Sequence, residues 1–471
     1  MPGGLLQLIA VGQIDQYLTI NPELSFYQFI YKKHTNFAME SRTLTFQKNP
    51  ILSKSTNQTC ICNISRYGDL LSELYFCFTL PDIYSSEKYK FKWIKNIGNN
   101  FIKKAAVFID GNQIDQTTGE WMTIWNELIL NYDKSYNTMI GNVEELYEPT
   151  LKQSRITIKN NKFNYHYYPE SEKNKINEPS IKSRKIIVPL KFWFCSNPAL
   201  ALPLLRLQFN EITVRIELES SEHLYQVHSD KLNMYVSPIY YNELENENID
   251  IETFANTINI EPYLDANYVF LSQEERNTLF MRSKLTYLVE QLTINSVKNI
   301  SSISNASENI NIIVNNPTKE LIWAIKRDDY LKYNEHNNYS PDIPESSNRI
   351  LEKAVIRFNN NNRFEEKPGE YFNMIQPYKY HSKIPSKGIY SYSFALYPEK
   401  ELLSGYYNAA LVNTNLSINI KNIYNNDNIN NQLQKIQKQN YNFDYLILVY
   451  AKTYNIFEII GSQSGMKFTM S

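Results

Sequence analysis

From Ile212 to Leu218 the chain alternates, with Ile212, Val214, Ile216 and Leu218 on one side and Arg215 and Glu217 on the other, Glu219 continuing the polar side. Period-two alternation predicts a strand with one buried face. The segment before it, from Ile187, is apolar and aromatic and is broken by Asn197-Pro198 and Pro203. Similar runs, dominated by Tyr, Phe and Ile, recur along the chain: 26–31, 74–78, 105–109, 268–271, 284–292, 310–314, 321–325, 355–358, 390–396, 416–420 and 445–451. Such composition favours strands. Asp110-Gly111-Asn112, between two of these runs, predicts a tight hairpin turn.

Few segments carry a helical period. In 119–130, GEWMTIWNELIL, residues Trp121, Ile124, Trp125 and Leu128 share one face. A second candidate is 272–281, where Ser272 can cap the first turn and Glu274 and Glu275 oppose its dipole. Three polar stretches interrupt the strands, at about 133–185, 326–349 and 422–442. The length of the first without periodicity reads as either a functional loop or a flexible one, and such insertions suit a sandwich whose loops at one end do the outward-facing work.

At 471 residues the chain exceeds the roughly 250 residues of a large single sandwich, so two domains are expected. A boundary is placed near 273–283, after a closing strand and a short helix. Composition is 42% hydrophobic and 14% aromatic, enough for two cores. Lys and Arg total 48 against 49 acids, a net charge of −1. That balance lacks the basic excess with which proteins grip phosphate backbones, so no direct nucleic-acid contact is expected. Cys60, Cys62, Cys77 and Cys195 make neither a disulfide framework nor metal-ligand spacing; on a strand, Cys60 and Cys62 share a buried face. The start, MPGGLLQLIAVGQIDQYL, lacks a basic region and is too short in apolar residues for a span, so neither signal peptide nor anchor is expected.

Catalytic chemistry finds little support. The histidines 34, 166, 223, 228, 336 and 381 form no HExxH or His-x-His pattern. There is no Gly-x-Ser-x-Gly elbow. Gly461 to Lys467 lacks the spacing of a phosphate loop and has no room for a following helix. Glu274-Glu275-Arg276 reads as a solvated or interface charge cluster, and Trp121 with Trp125 as core rather than a stacking platform. Sequons at Asn57, Asn63, Asn299, Asn305, Asn338 and Asn415 are expected by chance in an Asn-rich chain. No catalytic, cofactor-binding or metal-ligating residue is assigned, and no cofactor is expected.

Separated blocks of the chain, in order, carry a resemblance. They are Gly3 to Leu8 with Tyr17-Leu18-Thr19 and Asn21-Pro22; Tyr31 to Ala38; GEW-x3-WNEL from Gly119; FWFCSNPALALPLLRLQ; FLSQEERNTLF from Phe270; NNPTKELIWAI from Asn315; YFNMIQPYKYHSKIPSKGIYSYSFAL from Tyr371; SGYYNAALVN from Ser404; and Tyr454 to Met466. Together they resemble the major capsid proteins of nucleocytoplasmic large double-stranded DNA viruses, the double jelly-roll family. Two places depart from the pattern: Tyr406 to Ala410, where the family has a Cys-Asn-Phe-Ser-like stretch, and the ending GSQSGMKF, which is less glycine-rich.

The resemblance implies an all-β fold of two consecutive eight-stranded antiparallel jelly rolls with short helices and long loop insertions. Residues 1–23 are then an N-terminal arm, 24–275 the first jelly roll with its insertion at about 133–185, and 276–471 the second. It implies a non-enzymatic major capsid protein, a homotrimer whose six similar domains tile an icosahedral shell. Its partners are neighbouring capsomers and minor capsid or penton proteins; the arm either packs into its own subunit or, the favoured reading, reaches beneath neighbouring capsomers to minor proteins or an inner membrane. Its place is the virion, assembled in host cytoplasm. The competing reading is a carbohydrate-binding or glycoside-cleaving β-sandwich, motivated by aromatic loops such as Tyr165-His166-Tyr167-Tyr168, and marked by a facing carboxylate pair. A minor capsid or scaffolding paralogue differs only in copy number.

Overall fold

The computed structural model describes residues 33–48, 58–85, 89–129, 135–149, 179–246, 259–301, 307–346, 348–386, 388–421, 443–461 and 463–468, with 9, 10, 21 and 249 as isolated positions. Most of the expected N-terminal arm, the 26–31 strand, the 165–168 aromatics and the 422–442 stretch lie outside the described residues.

Among the described residues, the two main sheets of the first sandwich hold eight strands: β1 (Phe37–Thr45), β2 (Thr59–Asn63), β3 (Leu70–Leu80), β4 (Ile102–Ile109), β5 (Asn112–Thr117), β6 (Arg184–Pro189), β7 (Ile212–Leu218) and β8 (Tyr263–Leu271), with a separate small sheet of Phe91–Trp93, Tyr225–Ser229 and Met234–Val236. The eight pair in the orders β1-β8-β3-β6 and β2-β7-β4-β5. The second sandwich repeats this with β9 (Lys284–Ser301), β10 (Ser307–Ile312), β11 (Pro317–Arg327), β12 (Leu351–Phe358), β13 (Asn361–Asn362), β14 (Ile389–Ser393), β15 (Thr414–Ile420) and β16 (Asp444–Ile460). Its sheets run β9-β16-β11-β14 and β10-β15-β12-β13. Adding eight to each label of the first sandwich reproduces the second. Neighbours pair antiparallel. This strand order, with distant strands brought side by side, is the jelly roll. The chain therefore folds as two consecutive eight-stranded jelly rolls.

Local chemistry explains the elements. Asp110 and Gly111 both take positive φ (51° and 80°) in the turn between β4 and β5, the geometry of a two-residue hairpin. The Asp110 carboxylate accepts from the Glu211 N–H at 2.7 Å, tying the turn to the start of β7. Ile212, Val214, Ile216 and Leu218 are buried and Arg215 is exposed, as the alternation predicts. Cys60 and Cys62 do share the buried face of β2, and burial pushes their thiols up to about 12 and about 11. Gly461 to Lys467 forms no phosphate loop: Gly461, at φ 60°, opens a hairpin that returns Gln463–Met466 antiparallel along β16.

β16 and its neighbour β9 are long and outrun their own sandwich. In β16, Tyr445, Ile447, Val449 and Ala451 face the second core, while Leu446, Leu448 and Tyr450 face a separate cluster toward the first sandwich. Beyond them Phe457 and Ile459 join the first core, with Leu285 and Val289 of β9. A strand buried on both faces reads as a continuous apolar run rather than an alternation.

Of the 133–185 stretch, Ser135–Met139 and Glu144–Tyr147 are short helices and β6 begins at Arg184, while residues 150–178 lie outside the described residues. One polar stretch departs from the expectation of outward loops. The 326–349 stretch is largely internal: β11 continues to Arg327, a helical turn occupies Tyr330–Tyr333, and Tyr333, Asn334, Tyr339 and Ser340 are buried. Asn334, Asn338 and Arg327 each donate to backbone carbonyls there, a placement that composition alone does not reveal.

Candidate functional site

A constellation of buried aromatic and charged side chains lies where the two sandwiches meet. The helix Gly119–Leu128 connects β5 toward β6 and is capped by Thr118, whose Oγ1 accepts from the Trp121 N–H at 3.2 Å. Gly119 is required there, since a Cβ would stand 1.9 Å from the Asn99 carbonyl oxygen and 2.4 Å from that of Ile102. The helix has two buried faces. Met122 belongs to the first core, whereas Trp121, Ile124 and Leu128 pack on Leu292, Ile322, Ala324, Tyr339, Ile389, Leu448 and Tyr450 of the second sandwich. Trp121 and Trp125 stack at 5.3 Å, and Trp121 lies 5.1 Å from Tyr450. Both tryptophans thus serve packing, as their spacing predicts, but at the seam rather than within one domain.

Charged groups line the same seam. Lys326, nearly inaccessible, pairs with Glu120 of the helix at 2.8 Å, and Lys383 with Glu127 at 3.3 Å. Glu290 accepts from Lys319 and, at 2.8 Å, from Lys452, whose ammonium also sits 3.9 Å from the centre of the Trp125 ring. Burial opposes ionisation of Glu290, but Lys452 and Lys319 outweigh it and hold the carboxyl below its usual range. His381 lies 2.5 Å from Glu320 and 3.4 Å from Glu399. Burial alone lowers its basicity; the two carboxylates outweigh burial and raise its pKa to about 9. A cleft of about 410 Å³ opens beside this cluster, between Trp121, Trp125 and Trp193 and the Glu290–Lys452 pair. At its floor Asp115 accepts from the N–H groups of Trp193 and Gln116 at 2.9 and 2.8 Å, and burial pushes its carboxyl up to about 7.

A second set of contacts closes the seam further along. Asn334 donates to the carbonyls of Glu222 (2.6 Å) and Tyr225 (2.8 Å), and Gln226 donates to that of Tyr333 at 2.5 Å. His336 Nε2 lies 2.9 Å from the His223 carbonyl oxygen. Sequence reasoning gave this polar stretch to solvent. Tyr333 and Tyr339, large aromatics inside it, were the available signal.

Several charged residues considered for chemistry are placed structurally. Arg276 bonds Asp69 at 3.1 Å, and Ser272 caps its helix by accepting from the Glu275 N–H at 3.5 Å. Asn338, a sequon position, is buried and donates to Glu335 and to the Asp342 carbonyl. Among the described residues, no group of three or more His, Cys, Asp or Glu is placed to hold a metal ion, and no helix is long and apolar enough to cross a membrane.

Outside the seam, apolar side chains are exposed on two neighbouring segments of the second sandwich. One is a loop carrying Leu396, Tyr397, Leu402, Leu403, Tyr406 and Leu411; the other is the helical stretch 371–380, with Met374, Ile375 and Tyr378, and the residues after it, with Ile384. Glu399 joins them, accepting from the Ser382 N–H at 2.6 Å and hydroxyl at 2.9 Å. Tyr378 and Leu411 are 80% and 77% exposed.

Residues 25–272 match the family model for the major capsid protein N-terminus, and residues 275–466 match that for the large eukaryotic DNA virus major capsid protein. The chain is 27% identical to the major capsid protein of Phaeocystis pouchetii virus, covering all of both chains. It is 27% identical to that of Pyramimonas orientalis virus, again over the full length of both. The major capsid protein of Paramecium bursaria Chlorella virus 1 is 26% identical over 99% of this chain and 100% of its own. In three dimensions the fold matches the PBCV-1 virus capsid with a TM-score of 0.69 at 22% identity, covering 94% of this chain and all of that one. It matches the Faustovirus major capsid protein at 0.66 and 12% identity, over 95% and 94%. With its two like-ordered sandwiches joined through one aromatic seam, the chain belongs to the major capsid protein family of large eukaryotic DNA viruses.

Proposed function

We propose that three copies of this chain close into a ring-shaped capsomer, and that such capsomers tile an icosahedral shell. The observation that carries this reading is the repetition of one strand order in both halves of the chain. Two similar domains in each of three chains give six near-equivalent units around one axis, so a trimer fills a place in a hexagonal lattice. Cyclic closure pairs every heterologous contact and leaves none open. The rigid seam supports it, because a shell unit must hold its two domains at a fixed angle.

The exposed segments around Tyr378, Leu403 and Leu411 are where a second copy packs. The division into 24–275 and 276–471, with 1–23 as an arm, accords with family matches that meet between residues 272 and 275. Neighbouring capsomers are the principal partners. Minor capsid or penton proteins, and an inner membrane reached by the arm, are further ones. The near-neutral net charge argues against direct contact with nucleic acid. The protein acts as a structural element of the virion, without enzymatic activity, and assembles in host cytoplasm.

Electron microscopy of the purified protein tests this. Particles with six lobes around a threefold axis support it; isolated two-lobed particles refute it.

A further inference from the structure

We propose that the seam inside one chain is repeated between chains: the helical stretch 371–380 of one copy lays its exposed face on the outer face of the β1-β8-β3-β6 sheet of the next. The inference rests on the ring-shaped trimer proposed above, and it names the two surfaces that close the ring.

A repeat between the two halves carries it. Gly119 to Leu128, GEWMTIWNEL, lies between β5 and β6, and Gly369 to Tyr378, GEYFNMIQPY, lies at the same place between β13 and β14. Each begins with glycine, glutamate and an aromatic residue. Each glycine is wedged against the first residue of the equivalent strand. A Cβ on Gly119 would stand 2.4 Å from the carbonyl oxygen of Ile102, which opens β4; one on Gly369 would stand 2.7 Å from that of Leu351, which opens β12. Met122 and Phe372, fourth in each segment, enter their own cores, and Thr123 and Asn373 after them are buried. Ile124, Trp125 and Leu128 then correspond to Met374, Ile375 and Tyr378. In the first sandwich these positions pack on the second. In the second sandwich they are exposed, because one chain offers no third sandwich to cover them. The step that carries the first sandwich onto the second, taken again, reaches the first sandwich of a neighbouring copy, as closure of six like units requires.

Strand register identifies the receiving surface. In the seam Trp121 meets Tyr450, which pairs with Ile322, which pairs with Ser391 two residues before the end of β14. Two residues before the end of β6, Ile187 pairs with Cys77, and Cys77 pairs with Tyr263. Tyr263 therefore stands where Tyr450 does. One pairing further on, Asp265 stands where Lys452 does. Tyr263 and Asp265 alternate with the core residues Leu264 and Ala266, so they face outward, and both are partly exposed. The charges are complementary, with the sign of the seam reversed. Within the chain the helix supplies Glu120 and Glu127 to lysines of the second sandwich. Between chains the helical stretch presents the exposed Lys379 to a face that carries Glu73 and Asp265, with Lys185 at its edge.

Cross-linking of the full chain tests the contact. Lys452 sits over Trp125 in the seam, so Ile375 of one copy and Asp265 of the next become neighbours. Ile375→Cys combined with Asp265→Cys, treated with a short bismaleimide, should give covalent dimers and trimers on a denaturing gel. Each single variant, which keeps the native cysteines, should give monomers. Charge supplies a second reading at the exposed position 375: Ile375→Asp should lower the trimeric fraction in light scattering at least about tenfold, and adding Asp265→Lys should bring it back to within about twofold of the parent. A trimeric parent whose double-cysteine variant yields no inter-chain product, or whose Ile375→Asp variant stays fully trimeric, overturns this contact and leaves the ring standing. A monomeric parent overturns both.

Discussion

Trp121 of the first jelly roll and Tyr450 of the second lie with their ring centres 5.1 Å apart, both almost fully buried. The contact joins a helix inserted between two strands of one sandwich to the outer face of a central strand of the other. It makes the two sandwiches one body, and it accounts for an otherwise unexplained property of β16, which is apolar on both faces.

Truncating Trp121 to Ala should therefore cost about 3–5 kcal/mol, because surrounding side chains from two domains cannot collapse together into the space left. Urea unfolding followed by tyrosine and tryptophan fluorescence measures it. A single transition in the parent should split or shift in the variant; a change below about 1 kcal/mol would mean that the seam is loosely packed.

Two glycines give opposite expectations. Gly119→Ala sets a methyl 1.9 Å from the Asn99 carbonyl oxygen and should abolish soluble expression or destabilise the fold severely. Gly111→Ala meets nothing within 4 Å and bears only the strain of a positive φ of 80°, about 1–2 kcal/mol. Thermal unfolding of the pair distinguishes steric from conformational cost.

Much of this was legible in the sequence. The alternation from Ile212 to Leu218, the Asp110-Gly111 turn, the buried face of the helix and the cap at Ser272 are all local signals, and local signals survive folding. The seam was not. Trp121 and Trp125 read as core, but no local pattern says which core. The 326–349 stretch read as a solvent-facing loop because Asn, His and Lys usually are. Their burial depends on carbonyls of Glu222, Tyr225 and His223, over a hundred residues away in the chain. Hydrogen bonds at that separation leave no periodicity to detect. The short strand β13 was missed for a related reason, since Asn361-Asn362 has no strand preference and pairs only because β12 turns back on it.

Raising the pH should weaken the seam at His381. Its pKa is about 9 when folded and about 6.5 when free, so the stability it contributes is full below 6.5 and is lost as pH rises through 9. The span corresponds to about 3 kcal/mol as an upper figure. Unfolding free energies at pH 6 and pH 9.5 should differ by that amount more in the parent than in His381→Gln; equal slopes would remove the His381–Glu320–Glu399 network from the account.

Breaking the ion cluster from one side should be worse than removing it. Lys319→Met leaves Glu290 with Lys452 alone and should cost about 3–5 kcal/mol, while Lys319→Met combined with Glu290→Leu should recover part of the loss. A double-mutant cycle by denaturant unfolding reads the coupling, and a purely additive result would show that Lys319 and Glu290 act independently.

If copies of the chain meet through the exposed loops of the second sandwich, charge placed there should disperse them without harming the fold. Leu403→Asp with Leu411→Asp, both at exposed positions, should keep the unfolding free energy within about 0.5 kcal/mol of the parent while lowering the assembled fraction by tenfold or more. Sedimentation velocity supplies that readout, and an unchanged distribution would move the interface elsewhere.

The most direct measurement is the mass of the purified parent protein in solution by multi-angle light scattering at micromolar concentration. The account predicts a species three times the 55.4 kDa of one chain, formed without cofactor. A mass of 55.4 kDa across that concentration range would contradict it.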